Sequence, residues 1–286
     1  PFTQGFVDEW HHTRMGEYTY ACSDFKFKKG LVSATKNSGH TLQIADGLWL
    51  DKKFKAAMMK SIAQSELDRK RFVYSDIGFI LLQQVVEAVT GKTLDAYLVS
   101  EFYRPMGLEH TLFQPLNRYK KEDIMPTAAN DYLRRQDLCG YVYDEAAAFM
   151  GGVSGNAGLF STAQELGKIY QMILNEGELD GKRYLRPETC RIFTTEKSAV
   201  SHRGLGYDKP NLKDPKANAC ASSAPASVYG HTGFTGTCTW VDPENDLVYI
   251  FLSNRLCPDA WNGKLNSMKL RQAIQEVIYQ SLYTPE

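Results

Sequence analysis

Six consecutive apolar residues, Leu247-Val248-Tyr249-Ile250-Phe251-Leu252, constrain this chain more than any other stretch. A strand with one wet face alternates apolar and polar residues. An unbroken apolar run of strand length calls for cover on both faces. The flanking sequence offers that cover. Upstream, 236–242 reads as a second strand, and Asp242-Pro243-Glu244-Asn245 supplies turn chemistry between the two. Residues 203–208 and 226–231 are further strand candidates. Downstream, a helix over 265–282 carries Leu270, Ile274, Val277 and Ile278 on one face. Hairpin-linked strands followed by a helix predict an antiparallel sheet covered by helices, an α+β fold.

The earlier part of the chain reads differently. Phe54, Met58 and Ile62 have helical spacing within 52–64. Ile77, Ile80, Leu81, Val85 and Ala88 predict a helix over 76–90, with Asp76 as cap and Gly91 as terminator. A short helix over 93–103 stops at Pro105. Thr162 and Glu165 have capping-box spacing ahead of a helix over 162–175, whose inner face is Ala163, Leu166, Tyr170 and Ile173. Pro187 suits the first turn of a helix over 188–195. Residues 1–50 read as loop with short elements, and 114–150 as irregular. The expected organisation is a helical, loop-rich lobe over 1–200 and a sheet-plus-helix part over 201–286.

Several function classes lose ground at once. Lys+Arg and Asp+Glu both number 33, which argues against a dedicated nucleic-acid binder. No apolar run approaches the roughly 18–20 residues that span a bilayer. The six cysteines, at 22, 139, 190, 220, 238 and 257, form no CxxC pair. Gly204-Leu205-Gly206 is followed by Lys209 where a dinucleotide fingerprint needs glycine, and neither a phosphate-binding GxxxxGK[ST] nor an HExxH occurs.

Three short motifs remain. Tyr74-Ser75-Asp76 precedes a strong helix. The glycine-rich turn Gly151-Gly152-Val153-Ser154-Gly155-Asn156-Ala157-Gly158 leads into Leu159-Phe160-Ser161-Thr162. His231-Thr232-Gly233 lies on a strand ahead of the apolar hairpin and the last helix. In this order, over about residues 72–282, they resemble the penicillin-recognising serine hydrolases: β-lactamases, DD-peptidases and related esterases. The pattern is most similar to the class C β-lactamase and esterase-like branch, whose second motif begins with Tyr and whose third is sometimes HTG. The resemblance implies a β-lactamase/transpeptidase-like α+β fold, acyl transfer to serine followed by hydrolysis, and no cofactor. It also implies a small-molecule or peptide substrate and a periplasmic or cell-envelope setting.

The chemistry can be stated apart from the family. A serine hydroxyl is a poor nucleophile near neutral pH and needs a base. Tyr74 is the expected base or proton shuttle if nearby cations favour its phenolate; the other reading is an aromatic residue packed ahead of a helix. Ser75 is expected to relay protons or bond substrate. Asp76 stands where the family usually has Asn, so it either binds substrate or simply caps the helix. His231 replaces the family's usual Lys and is expected to bond the tyrosine hydroxyl or a substrate carboxylate; its other reading is a half-exposed strand histidine. Neutral imidazole anchors anions more weakly than lysine, which favours ester or peptide substrates. Thr232 and Gly233 are expected beside substrate, and the Phe234 amide as an oxyanion donor. The glycine turn either lines the cleft or is a tight connector.

The family's nucleophile sits in Ser-x-x-Lys at the start of a buried helix. The chain has one such string, Ser33-Ala34-Thr35-Lys36, and Asn37-Ser38-Gly39 follows at once, which is turn chemistry. The preferred expectation is that the nucleophile lies upstream of Pro1. This chain alone would then be inert, and would be completed by that N-terminal segment or by another copy. The alternatives are a non-catalytic peptidoglycan- or peptide-binding module, and a small esterase using Ser33.

Overall fold

The computed structural model describes residues 7–14, 20–66, 72–260 and 262–283. In chain order its elements are β1 (Val7–Arg14), β2 (Tyr20–Phe27), β3 (Val32–Ser33), β4 (His40–Ala45), β5 (Leu48–Asp51), α1 (Phe54–Ala63), α2 (Ile77–Thr90), α3 (Leu94–Leu98), β6 (Leu112–Phe113), β7 (Pro126–Asp131), β8 (Gln136–Cys139), α4 (Glu145–Phe149), β9 (Leu159–Phe160), α5 (Ala163–Leu174), β10 (Glu178–Leu179), β11 (Lys182–Arg183), α6 (Pro187–Thr195), β12 (Tyr229–Thr232), β13 (Cys238–Asp242), β14 (Leu247–Phe251), α7 (Lys264–Ser267) and α8 (Leu270–Tyr283). They fall into two compact units that interleave along the chain. The first holds Pro1–Asp68, Ser75–Asp95 and Phe113–Leu159; the second holds Arg69–Tyr74, Ala96–Leu112 and Phe160–Glu286.

In the first unit, β3, β5 and β4 form an antiparallel sheet in that order. The β4–β5 hairpin turns at Asp46-Gly47, where Gly47 has φ +60°, a conformation that favours glycine. Leu50 and Ile44 from this sheet meet Met58 and Ile62 of α1, Ile80 of α2 and Phe149 of α4 in one buried cluster. The Phe54 ring lies 5.2 Å from that of Phe149.

α2 ends as expected at Gly91, which is left-handed at φ +67°. Its start and its face differ from expectation. Asp76 makes no side-chain capping bond; the Ser75 hydroxyl accepts the Ile77 amide instead, at 3.3 Å. The buried residues are Ile80 and Gln83, while Leu81, Val85 and Val89 are exposed. The helix is apolar almost all round, so periodicity alone had no contrast with which to choose the inner face.

The stretch expected to be irregular contains the β7–β8 hairpin and α4. Its fixed point is an ion pair with no exposed side-chain surface. Arg134 Nε donates to Asp131 Oδ1 at 2.8 Å, and the guanidinium also donates to the carbonyls of Val142 and Tyr143.

In the second unit, β12, β13 and β14 form the expected antiparallel sheet, with His231 opposite Thr239 and Trp240 opposite Tyr249. The Asp242 carboxylate accepts the amides of Glu244 and Asn245 and so shapes the turn. β14 is covered from two sides. Tyr249 packs in a cluster with Trp240, Val228 and Tyr279, and its hydroxyl donates to the Arg271 carbonyl of α8. Ile250 reaches α5, with its δ-methyl 3.9 Å from where a Cβ on Gly167 would sit.

Residues 203–208 do not form a strand. They contribute two isolated bridges, Lys197 with Gly204 and Asp208 with Gly230.

α5 starts at Thr162, whose hydroxyl accepts the Glu165 amide at 3.3 Å. Of the face expected inward, Leu166, Tyr170 and Ile173 are partly buried and Ala163 is exposed, while the fully buried residues are Glu165 and Met172. Glu165 turns away from its own helix start. It accepts the amides of Glu109 and His110 and the Thr111 hydroxyl, the last at 2.6 Å. Burial alone would raise this carboxyl's pKa. The bonds from Thr111, His110 and Glu109 outweigh burial and hold it below the ordinary value.

Candidate active site

Five of the predicted residues lie in the second unit, and β12 with the turn after it carries four of them. His231 and Thr232 end β12; Gly233 and Phe234 follow in the turn to β13. Tyr74 comes from the short Arg69–Tyr74 segment of the same unit. The Tyr74 and His231 ring centroids are 6.3 Å apart, within reach of one small bound molecule. Tyr74 is 54% exposed, so its ring is open to solvent.

A residue not singled out in the sequence joins them. The Arg203 guanidinium lies 4.8 Å from the Tyr74 ring centroid, and its Nη1 is 3.0 Å from His231 Nε2. Arginine only donates hydrogen bonds, so Nε2 accepts. His231 Nδ1 is 2.7 Å from the Thr232 carbonyl, which only accepts, so Nδ1 carries the proton. The contacts on the two nitrogens thus agree on one tautomer.

Behind Arg203 stands Asp208, with Oδ2 3.6 Å from Arg203 Nη2. Its Oδ1 receives the Lys209 amide and lies 2.9 Å from His202 Nε2. Asp208 is buried and bridged to Gly230 by two backbone bonds of 2.7 and 3.1 Å. The anchor of Arg203 is therefore fastened to the residue just before His231.

Lys209 faces the other way. Its ammonium donates to the carbonyls of Thr194 and Ser227, and burial, with Lys197 nearby, pushes its pKa down to about 8.

The turn after His231 has its own constraints. A Cβ on Gly233 would meet Thr237 Oγ1 at 2.2 Å, so a larger residue here would need the Thr237 side chain to rotate away. Phe234 is exposed, and its ring lies 4.4 Å from the Arg255 guanidinium. Its carbonyl accepts from Arg255 Nε at 2.7 Å, which stiffens the turn.

Ser75 and Asp76 belong to the first unit, at the start of α2. The glycine turn also lies there, packed on α2. A Cβ on Gly155 would be 2.2 Å from the Phe79 carbonyl oxygen. The buried Gln83 amide clamps the turn, donating to the Val153 carbonyl and accepting the Gly155 amide. Asn156 donates to the Asp144 carboxylate, which also caps α4.

Ser33 ends the two-residue strand β3, and its hydroxyl bonds locally to the Thr35 carbonyl at 2.8 Å. The Lys36 ammonium lies over the Trp49 ring at 5.4 Å. Strand geometry does not stack residues i and i+3 on one face as a helix does.

Among the described residues, no group of three or more His, Cys, Asp or Glu side chains is arranged to hold a metal ion. None of their helices is long and apolar enough to cross a membrane.

Arg203, His202 and Asp208 carried no short-range signal. Their link to Tyr74 is made by tertiary folding, and a charged run ahead of a strand ordinarily reads as solvated surface.

Comparison with known proteins speaks for the family and the fold. The family model for Beta-lactamase matches residues 37–266. A protein of Escherichia coli K12 described as "Putative D-alanyl-D-alanine carboxypeptidase" is 34% identical over 267 residues, covering 89% of this chain and 61% of its own length. One from Salmonella gallinarum with the same description is 32% identical over 227 residues, covering 74% of this chain and 52% of its own length. The chain thus spans between about half and three-fifths of the length of these relatives, 52% and 61%. Among solved structures, the octameric penicillin-binding protein homologue from Pyrococcus abyssi aligns with TM-score 0.52 and 18% identity over 82% of this chain and 52% of its own. Simvastatin synthase from Aspergillus terreus aligns with TM-score 0.50 and 16% identity over 76% and 57%. At such identities these two structures speak for the fold, a β-lactamase/transpeptidase-like mixture of helices and antiparallel sheet. The family match over most of its length establishes that this chain belongs to the beta-lactamase family.

Proposed function

We propose that this chain supplies the acid–base half of a serine hydrolase that cleaves amide or ester bonds through an acyl-serine, with peptides ending in D-alanyl-D-alanine as the substrate class. The observation that carries this reading is the 6.3 Å approach of Tyr74 and His231, with Arg203 between them. The substrate class draws on the names of the carboxypeptidase-like relatives.

Tyr74 takes the proton from the attacking serine as the serine–carbonyl bond forms. It returns that proton to the leaving nitrogen or oxygen as the scissile bond breaks. Water then attacks the acyl-serine by the same route in reverse. The Phe234 amide faces the developing oxyanion, and Thr232 and Gly233 line the substrate backbone.

The nucleophile in this reading is not Ser33, because neither its strand setting nor Lys36 provides the required pair. It comes from a segment outside the described residues, and the setting is the cell envelope.

A D-alanyl-D-alanine peptide titrated into the 286-residue chain is expected to move the NMR signals of the His231 imidazole and the Tyr74 ring. If both stay still while other signals move, the site assignment is lost. Steady turnover of a p-nitrophenyl ester or nitrocefin that disappears in Ser33→Ala would overturn the nucleophile assignment.

A further inference from the structure

We infer that Arg203, tethered by Asp208, is the positioning residue of this site: it holds His231 in the Nδ1–H tautomer and biases the Tyr74 phenol toward its phenolate. Its bearing on acyl transfer rests on Tyr74 being the base; the arrangement itself does not.

The geometry is over-determined in a way a surface ion pair is not. One guanidinium serves three partners: the imidazole Nε2 at 3.0 Å, the Tyr74 ring face at 4.8 Å, and Asp208 Oδ2 at 3.6 Å. A planar fork of donors suits this, because it can bond in its plane and stack on its face at the same time. Asp208 cannot swing toward other partners, since its Oδ1 already receives the Lys209 amide and faces His202. Its backbone bridge to Gly230 makes the anchor and the imidazole parts of one short piece of sheet. Moving the Arg203 guanidinium away from His231 therefore means giving up a contact with a carboxylate that is itself fixed to the sheet.

The consequence is electrostatic. A fixed cation close to a phenol favours its ionised form, and the effect is smaller when the pair is wet. Tyr74 is half exposed, so the expected effect is modest. His231 accepts from a permanent cation, so it presents Nε2 as a lone pair already in use and keeps its proton on the Thr232 side. Among the described residues, Arg203 and His231 face Tyr74, Asp208 faces Arg203, and His202 faces Asp208 in turn.

Nitrogen-15 NMR of the histidines in the wild-type chain is the first test, with His231 assigned from a His231→Gln variant. Nδ1–H is the expected tautomer; a predominantly Nε2–H ring overturns the proposal without any variant at position 203. The second test follows the Tyr74 ζ-carbon through an alkaline titration, assigned with Tyr74→Phe. In Arg203→Met the midpoint is expected to rise by about one pH unit, a tenfold loss of phenolate at a given pH. Arg203→Lys, which keeps the charge but not the fork, is expected to recover at least half of that shift while the His231 tautomer becomes mixed. An unchanged Tyr74 midpoint in a folded Arg203→Met protein overturns the proposal. If that variant does not fold, Asp208→Asn, which frees the guanidinium from its anchor, is expected to move the same signals in the same direction, and no movement there also overturns it. Failure of the hydrolase reading would look different: a D-alanyl-D-alanine peptide would leave both residues unmoved while the tautomer and titration results stood.

Discussion

Gln83 in the first unit and Arg203 in the second each tie together segments distant in sequence, and their surroundings are opposite. Gln83 is 2% exposed; its clamp on the turn is made to backbone groups, the Val153 carbonyl and the Gly155 amide, and its amide also donates to the Glu87 carboxylate one turn along its own helix. Arg203 is partly exposed, and its partners are side chains with chemistry of their own: a phenol, an imidazole and a carboxylate. A buried side chain bonded to backbone can only hold the chain still, since releasing it leaves orphaned polar groups in the core. A half-exposed side chain bonded to titratable groups costs less to disturb and changes how those groups ionise. The comparison separates what stabilises this protein from what reacts, and it moves the glycine turn to the first class. Before the fold was known, that turn read equally well as cleft lining and as connector.

The sharpest way to break the comparison is Gly155→Ala. Its methyl would sit 2.2 Å from the Phe79 carbonyl oxygen, and both sides of the clash are backbone. Urea unfolding is expected to show a loss of about 3 kcal/mol or more. A loss below about 1 kcal/mol would mean that the turn does not rest on α2 as described. Next, Gln83→Leu leaves the Val153 carbonyl and the Gly155 amide without their partner and is expected to cost about 2–3 kcal/mol. It should leave the His231 tautomer unaltered; a changed tautomer would erase the distinction between clamp and site.

Glu165→Gln tests a third hub, buried like Gln83 but charged. It should cost about 1–2 kcal/mol near neutral pH, where the carboxylate accepts charge-assisted bonds from residues 109–111. The sign with pH is fixed by the lowered pKa. The wild-type advantage is whole above the ordinary value of 4.5 and disappears as pH falls through the lower folded value. Unfolding of both proteins at pH 7 and pH 3 reads this out; an equal gap at the two would contradict the assignment. Smallest in stability is Arg203→Met, expected to cost about 1 kcal/mol or less. A loss as large as that of Gln83→Leu would make Arg203 a structural clamp after all.

Much of the second unit was legible beforehand because its signals are local. The apolar run at 247–252, the Asp242 turn, the Thr162 cap and Pro187 at the first turn of α6 each act within a few residues. One local signal in the first unit was passed over: Asp46-Gly47 between Leu42-Gln43-Ile44-Ala45 and Leu48-Trp49-Leu50 is strong hairpin chemistry, and it makes the β4–β5 turn. Other expectations failed for physical reasons. Thr162-x-x-Glu165 has capping-box spacing, yet the glutamate is drawn across to the amides of 109 and 110, which offered it more bonds than its own helix start. Residues 203–208 alternate like a strand but pair only through single bridges.

By itself the sequence determined the antiparallel hairpin, the helices that begin with a clear cap or end at Gly91, and the candidacy of Tyr74 and His231, because propensity, turn chemistry and motif order act over short stretches of chain. Tertiary structure alone decided which face of α2 is buried, that Gly155 answers to steric need, and that Arg203 and Asp208 stand behind the phenol and the imidazole. Those facts depend on contacts between segments far apart in the chain, and a contact of that kind leaves no periodicity and no spacing for a linear reading to find.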